Sequence, residues 1–293
     1  MIVGVGPSDS ERSLRGVSVV VPTRDRPQSL ARCLDALERQ SDVDSLEIIV
    51  VDDGSVQKGP VAETVAASPR ARLLRRAHAG PAAARNAGVS EARQPFVLFL
   101  DDDCEAEEMW AAELAAVLER GADVAAGSSM NARPDDALTS ASQTVVDFVR
   151  AESAGAYGGP AFVPSNNLAC RREVALAVPF DEAYGPLPGG EDRDWCARVH
   201  AAGYSVVPAL SAVVLHRQEL MLGSFWRKHV DYGRGSYRYR RAWSRRLESP
   251  RYYGRLLRAG FANGFSTGCC VLLAQAATAI GYAREMLVRD RRA

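Results

Sequence analysis

Three consecutive aspartates, Asp101 to Asp103, follow the apolar run from Phe96 to Leu100 in the stretch QPFVLFLDDDCE. Neighbouring carboxylates repel one another and raise each other's pKa, so a cation is expected opposite them. Asp101 and Asp103 stand at positions i and i+2, from which both can reach one hard divalent cation. The alternative is a solvated acidic turn that caps a helix beginning near Glu107. The triplet alone does not decide between these two interpretations.

A second acidic pair, Asp52 and Asp53, ends another apolar run, LEIIVV. From Val17 onward, short β-branched runs alternate with segments of helical spacing, which predicts an α/β protein with a parallel sheet. Ligands of such sheets bind beyond the carboxyl ends of the strands. Both acidic segments are therefore expected to face one crevice.

Composition narrows the class of protein. The chain has 293 residues, of which 47% are hydrophobic, and its formal net charge is +0. This balance argues against a dedicated nucleic-acid binder. The six cysteines form no CxxC pair, and residues 1–16 lack the pattern of a secretory signal. We expect a cytoplasmic protein with reduced thiols and a loose N-terminal tail over residues 1–16.

The charge and hydrophobicity of the sequence change after His216. Residues 217–258 contain twelve Arg or Lys and three acids, interleaved with aromatic residues. Residues 259–283 then carry no charge, although Asn263, Gln275 and several glycines make this run only weakly apolar. We expect a helical, basic C-terminal extension over residues 217–293, with peripheral membrane contact through 217–283 favoured over a true span.

Four ordered segments, VVVPTRDRPQSLARCLDALERQ, LEIIVVDDGS, GPAAARNAG and FVLFLDDD, together resemble the N-terminal half of family 2 glycosyltransferases. GGEDRDWCARVHAAGY and VVLH resemble the second half of the same catalytic domain. The resemblance covers residues 17–216. It implies a GT-A fold, in which helices flank a Rossmann-like, mostly parallel sheet, and an enzyme that inverts the anomeric centre of a nucleotide sugar.

The resemblance also implies roles for individual residues on the donor side. Pro22, Thr23 and Arg24 look like the loop that lines the nucleotide base, although an aromatic residue is commoner at the position of Arg24. Asp52 looks like the residue that bonds a uracil-type ring, which favours a UDP-sugar. The segment ARNAG looks like the approach to the ribose and diphosphate and contributes Arg85, Asn86 and Gly88.

For the metal, the resemblance implies Mn²⁺ or Mg²⁺ held by Asp103, with His216 and Asp101 as further ligands. Asp101 also resembles a ribose contact, and Asp102 is either a helper of the donor site or a residue turned toward the backbone.

On the acceptor side, the resemblance implies that the GGEDRDW segment carries the general base. Asp192 is the favoured base, with Glu191 and Asp194 as second choices; capping of the following helix is the structural alternative. We expect the acceptor to contact the corner Ser165 to Asn167, with Asn166 and Asn167 reaching its hydroxyls. Trp195, the last residue of GGEDRDW, is expected to contact it as well.

Several alternatives stay open at this point. The basic extension can close over the diphosphate, bind a phospholipid-linked acceptor or anionic membrane, or form a solvated helical hairpin. A nucleotidylyltransferase on a related sheet and a non-catalytic module that binds sugar nucleotides or membranes are the rival functions. The sequence does not define the oligomeric state or the acceptor, which can be a lipid-linked sugar, a polysaccharide or a small metabolite.

Overall fold

The computed structural model describes residues 16–153, 162–186 and 189–290. Residues 1–15 of the predicted tail and most of the loop predicted at SAGAYGGP lie outside the described residues. The strands in these ranges are β1 Val17–Thr23, β2 Leu46–Asp52, β3 Ala71–Arg75, β4 Phe96–Leu100, β5 Cys104–Ala106, β6 Val124–Asn131, β7 Asn167–Arg171 and β8 Val206–His216. The helices are α1 Pro27–Glu38, α2 Lys58–Ala66, α3 Pro81–Glu91, α4 Trp110–Glu119, α5 Ala137–Ser153, α6 Arg172–Ala177, α7 Glu191–Ala201, α8 Leu222–Ala242, α9 Pro250–Ala262 and α10 Phe265–Asp290.

The strands form one sheet in the order β3-β2-β1-β4-β7-β6-β8-β5. The first four are parallel neighbours, while β7 runs antiparallel to both β4 and β6. β8 is parallel to β6, and the short β5 completes the sheet antiparallel to β8. The predicted α/β architecture with a mostly parallel sheet is confirmed.

The helix expected near Glu107 is present as α4. It begins at Trp110, because Cys104–Ala106 forms β5 and pairs with the end of β8. The apolar start of FVPSNNLACRREV predicts a strand before the polar corner, and this prediction is wrong: the strand follows the corner, as β7. In both places pairing with a distant strand decides the local structure, and a single-sequence pattern does not contain that pairing.

Strand β4 holds the aspartate triplet rigidly. All five of its side chains are buried, and they alternate between two hydrophobic clusters. Leu98 and Leu100 pack on the side that contains Trp110, and Phe99 packs on the side that contains Trp195. A shift of one residue would exchange these two sets of side chains, so the register that places Asp101 at the sheet edge is strongly fixed.

The C-terminal helices pack closely on one another, and α9 and α10 also pack on α5. Helix α8 crosses α10 where both carry glycines: a Cβ on Gly233 would lie 2.0 Å from the Thr278 carbonyl oxygen, and one on Gly281 would lie 1.9 Å from that of Val230. Only glycine permits backbones to approach this closely. Buried Glu285 of α10 also accepts from arginines 234 and 238 of α8. Helix α8 is thereby held in one position.

By length and composition, one helix in the described part of the chain could cross a membrane. It is α10 from Phe265 to Val288, with a mean hydropathy of 1.3 over its most apolar window. A third of that window is buried inside the protein. The remainder of the helix presents an apolar face to its surroundings.

Candidate active site

The candidate active site lies where the parallel strands β1, β2 and β4 end. Thr23, the last residue of β1, is in register with Asp52, the last residue of β2. Asp101 directly follows β4, which is the other parallel neighbour of β1. Because parallel strands end at the same edge, the two acidic segments lie at one side of the sheet, where ligands bind in open α/β folds.

Asp52 and Asp53 are both buried but hold different parts of this edge. Asp52 accepts a hydrogen bond from the Ser55 amide at 2.8 Å. Asp53 accepts from the Gly80 amide at 2.8 Å and lies 2.7 Å from Nδ1 of His78. Asp53 therefore holds the loop that leads to α3 in place. The sequence Asp-Asp-Gly is also typical of a simple turn, so it did not predict this role.

The segment from Pro22 to Arg24 ends β1 beside these carboxylates. Arg24 is partly exposed, and its Nη1 lies 2.6 Å from Nε2 of His78. The other ring nitrogen of His78 contacts Asp53, so the imidazole orients the guanidinium. The Thr23 hydroxyl donates a hydrogen bond to the Asp102 carboxylate at 2.7 Å.

The three aspartates of the triplet differ in their nearest partners, although Arg26 contacts both Asp102 and Asp103. Asp102 turns inward and accepts from Thr23 and from Arg26 Nη1 at 3.0 Å. Burial raises the pKa of Asp102 to about 7, against the opposing effect of Arg26. Asp101 accepts from Arg85 at 2.8 Å, and Asp103 lies 3.2 Å from His216. The contacts of Asp102 thus tie it to the end of β1 and to the start of α1.

Asp103, Cys104 and His216 form a group whose ligand atoms lie within 4.8 Å of one another. Burial alone would raise the pKa of Asp103, but His216 and Arg26 hold it below its usual range. Burial raises the pKa of the Cys104 thiol well above its usual value, and a neutral thiol is a poor ligand. The carboxylate and the imidazole are therefore the better donors for a hard or borderline divalent cation.

The orientation of His216 is set by amide side chains. Nδ1 of the ring lies 2.9 Å from the Gln218 amide nitrogen Nε2 and 3.4 Å from the Asn166 amide nitrogen Nδ2. Such outer contacts fix the ring of a metal-binding histidine. Asn166, predicted as an acceptor contact, is thus placed beside His216. Asp101 lies outside the group formed by Asp103, Cys104 and His216, and its role as a ligand stays a prediction.

Helix α8 supplies a cation that the sequence did not single out. The ammonium group of Lys228 donates to the Gln218 side chain and lies 5.5 Å from the ring centroid of Tyr232. Burial lowers the pKa of Lys228 to about 8, partly offset by the attraction of Asp103. The sequence showed twelve basic residues between positions 217 and 258 but gave no sign of which one faces the carboxylates.

Glu191 and Asp192 begin helix α7 on the opposite side of the crevice. Asp192 accepts from the Ser165 hydroxyl at 2.8 Å and from the Ser165 amide at 3.2 Å. Burial raises the pKa of Asp192, and it raises that of Glu191 to about 7. The Glu191 carboxylate accepts a hydrogen bond from the Gly189 amide at 2.7 Å, and the residue is only 5% exposed. Asp192 is the more accessible carboxylate of the pair.

Arg85 joins the two acidic sides of the crevice. Its Nη2 donates to Asp101 at 2.8 Å, while its Nη1 lies 3.7 Å from Glu191 and 3.8 Å from Asp192. Burial would lower the pKa of this guanidinium, but the three carboxylates raise it above its usual value. In the described structure Arg85 contacts carboxylates on both sides of the crevice, and its approach to a diphosphate stays a prediction.

Other predicted site residues support the framework. The Asn86 side chain bonds the backbone of Phe180 at 2.8 and 2.9 Å, and Gly88 lets α3 approach Val20 of β1. Asp194 accepts from Trp243 at 2.9 Å and from Arg198 at 2.7 Å, so it ties the end of α8 to α7.

Two residues expected to contact the acceptor belong to the core. Trp195 is 1% exposed, stacks on Phe180 and donates to the Val178 carbonyl. Asn167 is also 1% exposed; its amide accepts from Trp110 and donates to two backbone carbonyls. Both side chains have complete sets of partners and no surface to offer an acceptor. Residue type alone did not reveal this, because Trp and Asn are common both in sites and in satisfied cores.

Residues 18–175 match the sequence model of the family described as Glycosyl transferase family 2. The chain belongs to this family. It is therefore a glycosyltransferase, and the family predicted from the ordered motifs is confirmed. The matched range includes β1 to β7 and the aspartate triplet, but ends before Asp192 and His216.

Relatives of this glycosyltransferase occur in bacteria and archaea. The pre-mycofactocin glycosyltransferase of Mycobacterium tuberculosis is 30% identical over 75% of this chain, which spans only 47% of that protein. Glycosyltransferase AglE of Haloferax volcanii is 26% identical, with coverage of 75% of this chain and 72% of the relative. The chain thus spans about half the length of the first of these curated relatives.

Solved structures agree on the fold. A mannosyltransferase from Pyrobaculum calidifontis superposes with a TM-score of 0.57 at 19% identity, covering 92% of this chain and 75% of that one. Glucosyl-3-phosphoglycerate synthase from Mycobacterium tuberculosis gives a TM-score of 0.52 at 19% identity, with coverages of 75% and 78%. The GT-A architecture predicted from the sequence is confirmed.

The hydrogen bond from Ser165 leads to a prediction about pH dependence. Because this bond favours ionised Asp192, Ser165→Ala should raise the already raised pKa of that carboxylate further. A group that must be deprotonated to act then becomes inactive at a higher pH. The ratio of variant to wild-type donor turnover should fall by roughly 2- to 10-fold between pH 8 and pH 6 in a pH–rate profile.

Ser211→Ala is the matched control, since the Ser211 hydroxyl donates to Glu113 away from the crevice. Its profile should follow the wild type. An equal loss of rate at every pH in Ser165→Ala would contradict the assignment of Asp192 as the titrating group.

Proposed function

We propose that this glycosyltransferase transfers a sugar from a nucleotide diphosphate sugar to an acceptor hydroxyl with inversion at the anomeric carbon. The observation that carries the proposal is the division of carboxylates across Arg85. Asp101 and Asp103 lie on the donor side at the end of β4, and Asp192 lies on the other side at the start of α7. One group can hold a metal and a diphosphate while the other accepts a proton.

The donor side suits a divalent metal and a diphosphate. Asp103 and His216 would hold the ion, and imidazole favours Mn²⁺ over Mg²⁺. When bound, the metal stabilises the negative charge of the departing diphosphate. Lys228 and Arg26 add positive charge beside Asp103. The similar mannosyltransferase from Pyrobaculum calidifontis was solved with GDP-Man and Mn²⁺, which supports a nucleotide-sugar donor and a divalent ion.

We further propose that the base of the donor contacts Pro22, Thr23, Arg24 and Asp52, with uridine as the favoured nucleoside. The support is their common position at the ends of β1 and β2, beside the diphosphate side of the crevice. Asp52 is buried and held by Ser55, so it offers a fixed acceptor for ring or ribose donors.

Asp192 accepts the proton of the incoming hydroxyl. The hydroxyl oxygen forms a bond to the anomeric carbon as the bond to the diphosphate oxygen breaks, and the nucleoside diphosphate leaves with the electron pair. A raised pKa suits this role, because a base acts best when its pKa is near the working pH. One displacement from the face opposite the leaving group inverts the centre.

The base assignment gives the main functional prediction. Asp192→Asn should lower release of nucleoside diphosphate by about 10²- to 10⁴-fold while the affinity for donor stays within about threefold. A panel of nucleotide sugars with Mn²⁺ would first identify the donor by hydrolysis, and calorimetry would measure its binding. Asp194→Asn is the neighbouring control, because Asp194 bonds Arg198 and Trp243 rather than the crevice.

Unchanged turnover in Asp192→Asn would favour the rival function, a module that binds sugar nucleotides or membranes without catalysis. The nucleotidylyltransferase alternative is not retained, because the family match is to glycosyltransferases.

Metal binding can be tested separately from turnover. Asp103→Asn and His216→Ala should each weaken Mn²⁺ binding by about tenfold or more, because each removes one ligand. Cys104→Ala should leave the affinity unchanged, since the buried thiol is neutral and does not compete as a ligand. Binding is measured by titration with Mn²⁺ and electron paramagnetic resonance of the free ion. A loss in Cys104→Ala equal to that in Asp103→Asn would contradict the proposed ligand set.

We also propose peripheral contact with an anionic membrane through α9 and α10, on the inner face as the expected cytoplasmic localisation requires. One face of α10 exposes Phe265, Leu272, Ile280 and Leu287, spaced as one helical stripe. Three exposed arginines, at positions 251, 255 and 258, line one face of α9. An apolar stripe beside basic residues is typical of helices that lie in the plane of the interface.

Vesicle sedimentation tests this contact. The protein should bind vesicles of phosphatidylcholine and phosphatidylglycerol better than phosphatidylcholine alone, because arginines add about 1 kcal/mol each near an anionic surface. The double variant Leu272→Ser with Ile280→Ser should lose most of this binding. Leu176→Ser, which changes an exposed leucine of α6, should not. Equal binding by all three proteins would rule out the stripe as the contact.

A further inference from the structure

Gln218 is a buried residue of the site that the proposed reaction does not use. It lies two residues after β8 and is 7% exposed. Its amide oxygen accepts a hydrogen bond from the ammonium group of Lys228, and its amide nitrogen lies 2.9 Å from Nδ1 of His216. The other ring nitrogen of His216, Nε2, lies 3.2 Å from Asp103. These four side chains form one chain of hydrogen bonds from helix α8 to the proposed metal ligands.

Lys228 fixes the orientation of the Gln218 amide. An ammonium group has three donors and no acceptor, so only the carbonyl oxygen of the amide can bond to it. The NH₂ group of the amide must then face the imidazole. The reversed amide would place NH₂ against the ammonium group and leave both without an acceptor, which is costly for buried polar groups.

The Gln218 amide in turn fixes the tautomer of His216. An NH₂ group only donates, so the ring nitrogen that faces it, Nδ1, must accept and carries no proton. The amide nitrogen of Asn166 faces the same ring nitrogen at 3.4 Å. The ring proton of His216 therefore lies on Nε2, which donates it to the Asp103 carboxylate.

This tautomer is the wrong one for binding a metal through Nε2. A ligating nitrogen needs a free lone pair, and a metal-bound histidine almost always donates its other N–H to a carboxylate, a carbonyl or water. For His216 to ligate, its proton must move from Nε2 to Nδ1, with no net release of a proton. The Gln218 carbonyl must also turn toward Nδ1, and it can do so only when Lys228 releases it.

The diphosphate of the donor is suited to draw Lys228 away from Gln218. Lys228 lies near Asp103, whose charge attracts the ammonium group, so it faces the donor side of the crevice. A charge-assisted hydrogen bond to phosphate is roughly twice as strong as a neutral one. The flexible four-carbon stem of lysine allows its ammonium group to exchange one acceptor for the other.

We propose that Lys228 and Gln218 hold His216 in the tautomer that cannot ligate through Nε2 until the donor diphosphate binds Lys228. A metal that binds without donor still recruits His216, but must first reverse the Gln218 amide. Donor and metal therefore bind cooperatively, and Gln218 and Lys228 are positioning residues of the metal site. The inference deepens the proposed function, since it rests on His216 as a ligand and on a diphosphate donor.

The tautomer is measured by ¹⁵N NMR of histidine-labelled protein without metal, because protonated and unprotonated ring nitrogens differ in chemical shift. Wild-type His216 should carry its proton on Nε2, and His216→Gln identifies the signal. In Gln218→Glu, one carboxylate oxygen can keep Lys228 while the other accepts from the ring, so Nδ1 should become protonated. Glu219→Gln is the neighbouring control, because Glu219 is exposed and bonds Arg32.

The cooperativity is measured as Mn²⁺ affinity with and without UDP, by electron paramagnetic resonance with correction for Mn²⁺ bound to UDP in solution. Without UDP, Gln218→Glu should bind Mn²⁺ about tenfold more tightly than the wild type, because no amide has to reverse. The gain in affinity on adding UDP should be at least about threefold smaller in this variant. The added negative charge alone would raise both affinities by the same factor and leave the gain unchanged.

Two results would overturn the inference. One is a wild-type His216 that carries its proton on Nδ1, which needs no variant to be observed. The other is an equal gain from UDP in the wild type and in Gln218→Glu of wild-type melting temperature. Failure of the wild type to release nucleoside diphosphate from any nucleotide sugar would overturn the proposed function instead, and would leave the tautomer of the metal-free ring as stated.

Discussion

The structure of the site depends on one constraint, which is that several carboxylates are gathered in a partly buried crevice. Without cations between them, burial and mutual repulsion would protonate them and remove the charge that the site needs. Arg85 meets this constraint by contacting Asp101, Glu191 and Asp192 from a buried position. Its guanidinium stays charged at any working pH. It therefore neutralises carboxylates of the proposed donor side and of the proposed acceptor side at the same time.

Two further cations, Arg26 and Lys228, and the His216 imidazole lie beside Asp103, and they come from distant parts of the chain. Arg26 precedes α1, His216 ends β8 and Lys228 lies on α8. Each lies near Asp103, so the carboxylate proposed to hold a metal remains ionised. Helix α8 therefore contributes to the electrostatics of the site, and its close glycine-mediated packing on α10 holds it in that position.

The same packing relates the proposed donor, acceptor and membrane surfaces. Helix α8 touches the crevice through Lys228, and Asp194 of α7 bonds Trp243 just after α8 ends. Helices α9 and α10 follow directly, with an exposed apolar stripe on α10.

The sequence by itself determined the alternation of strands and helices, the family, and the gathering of two acidic segments at one edge. These follow from local hydrophobic patterns and from the rule that parallel strands end together. Only the tertiary structure decided the direction of each side chain: Asp102 inward, Asn167 and Trp195 into the core, and Lys228 toward Asp103. A single sequence does not contain these directions, because burial and charge partners are set by residues up to hundreds of positions away along the chain.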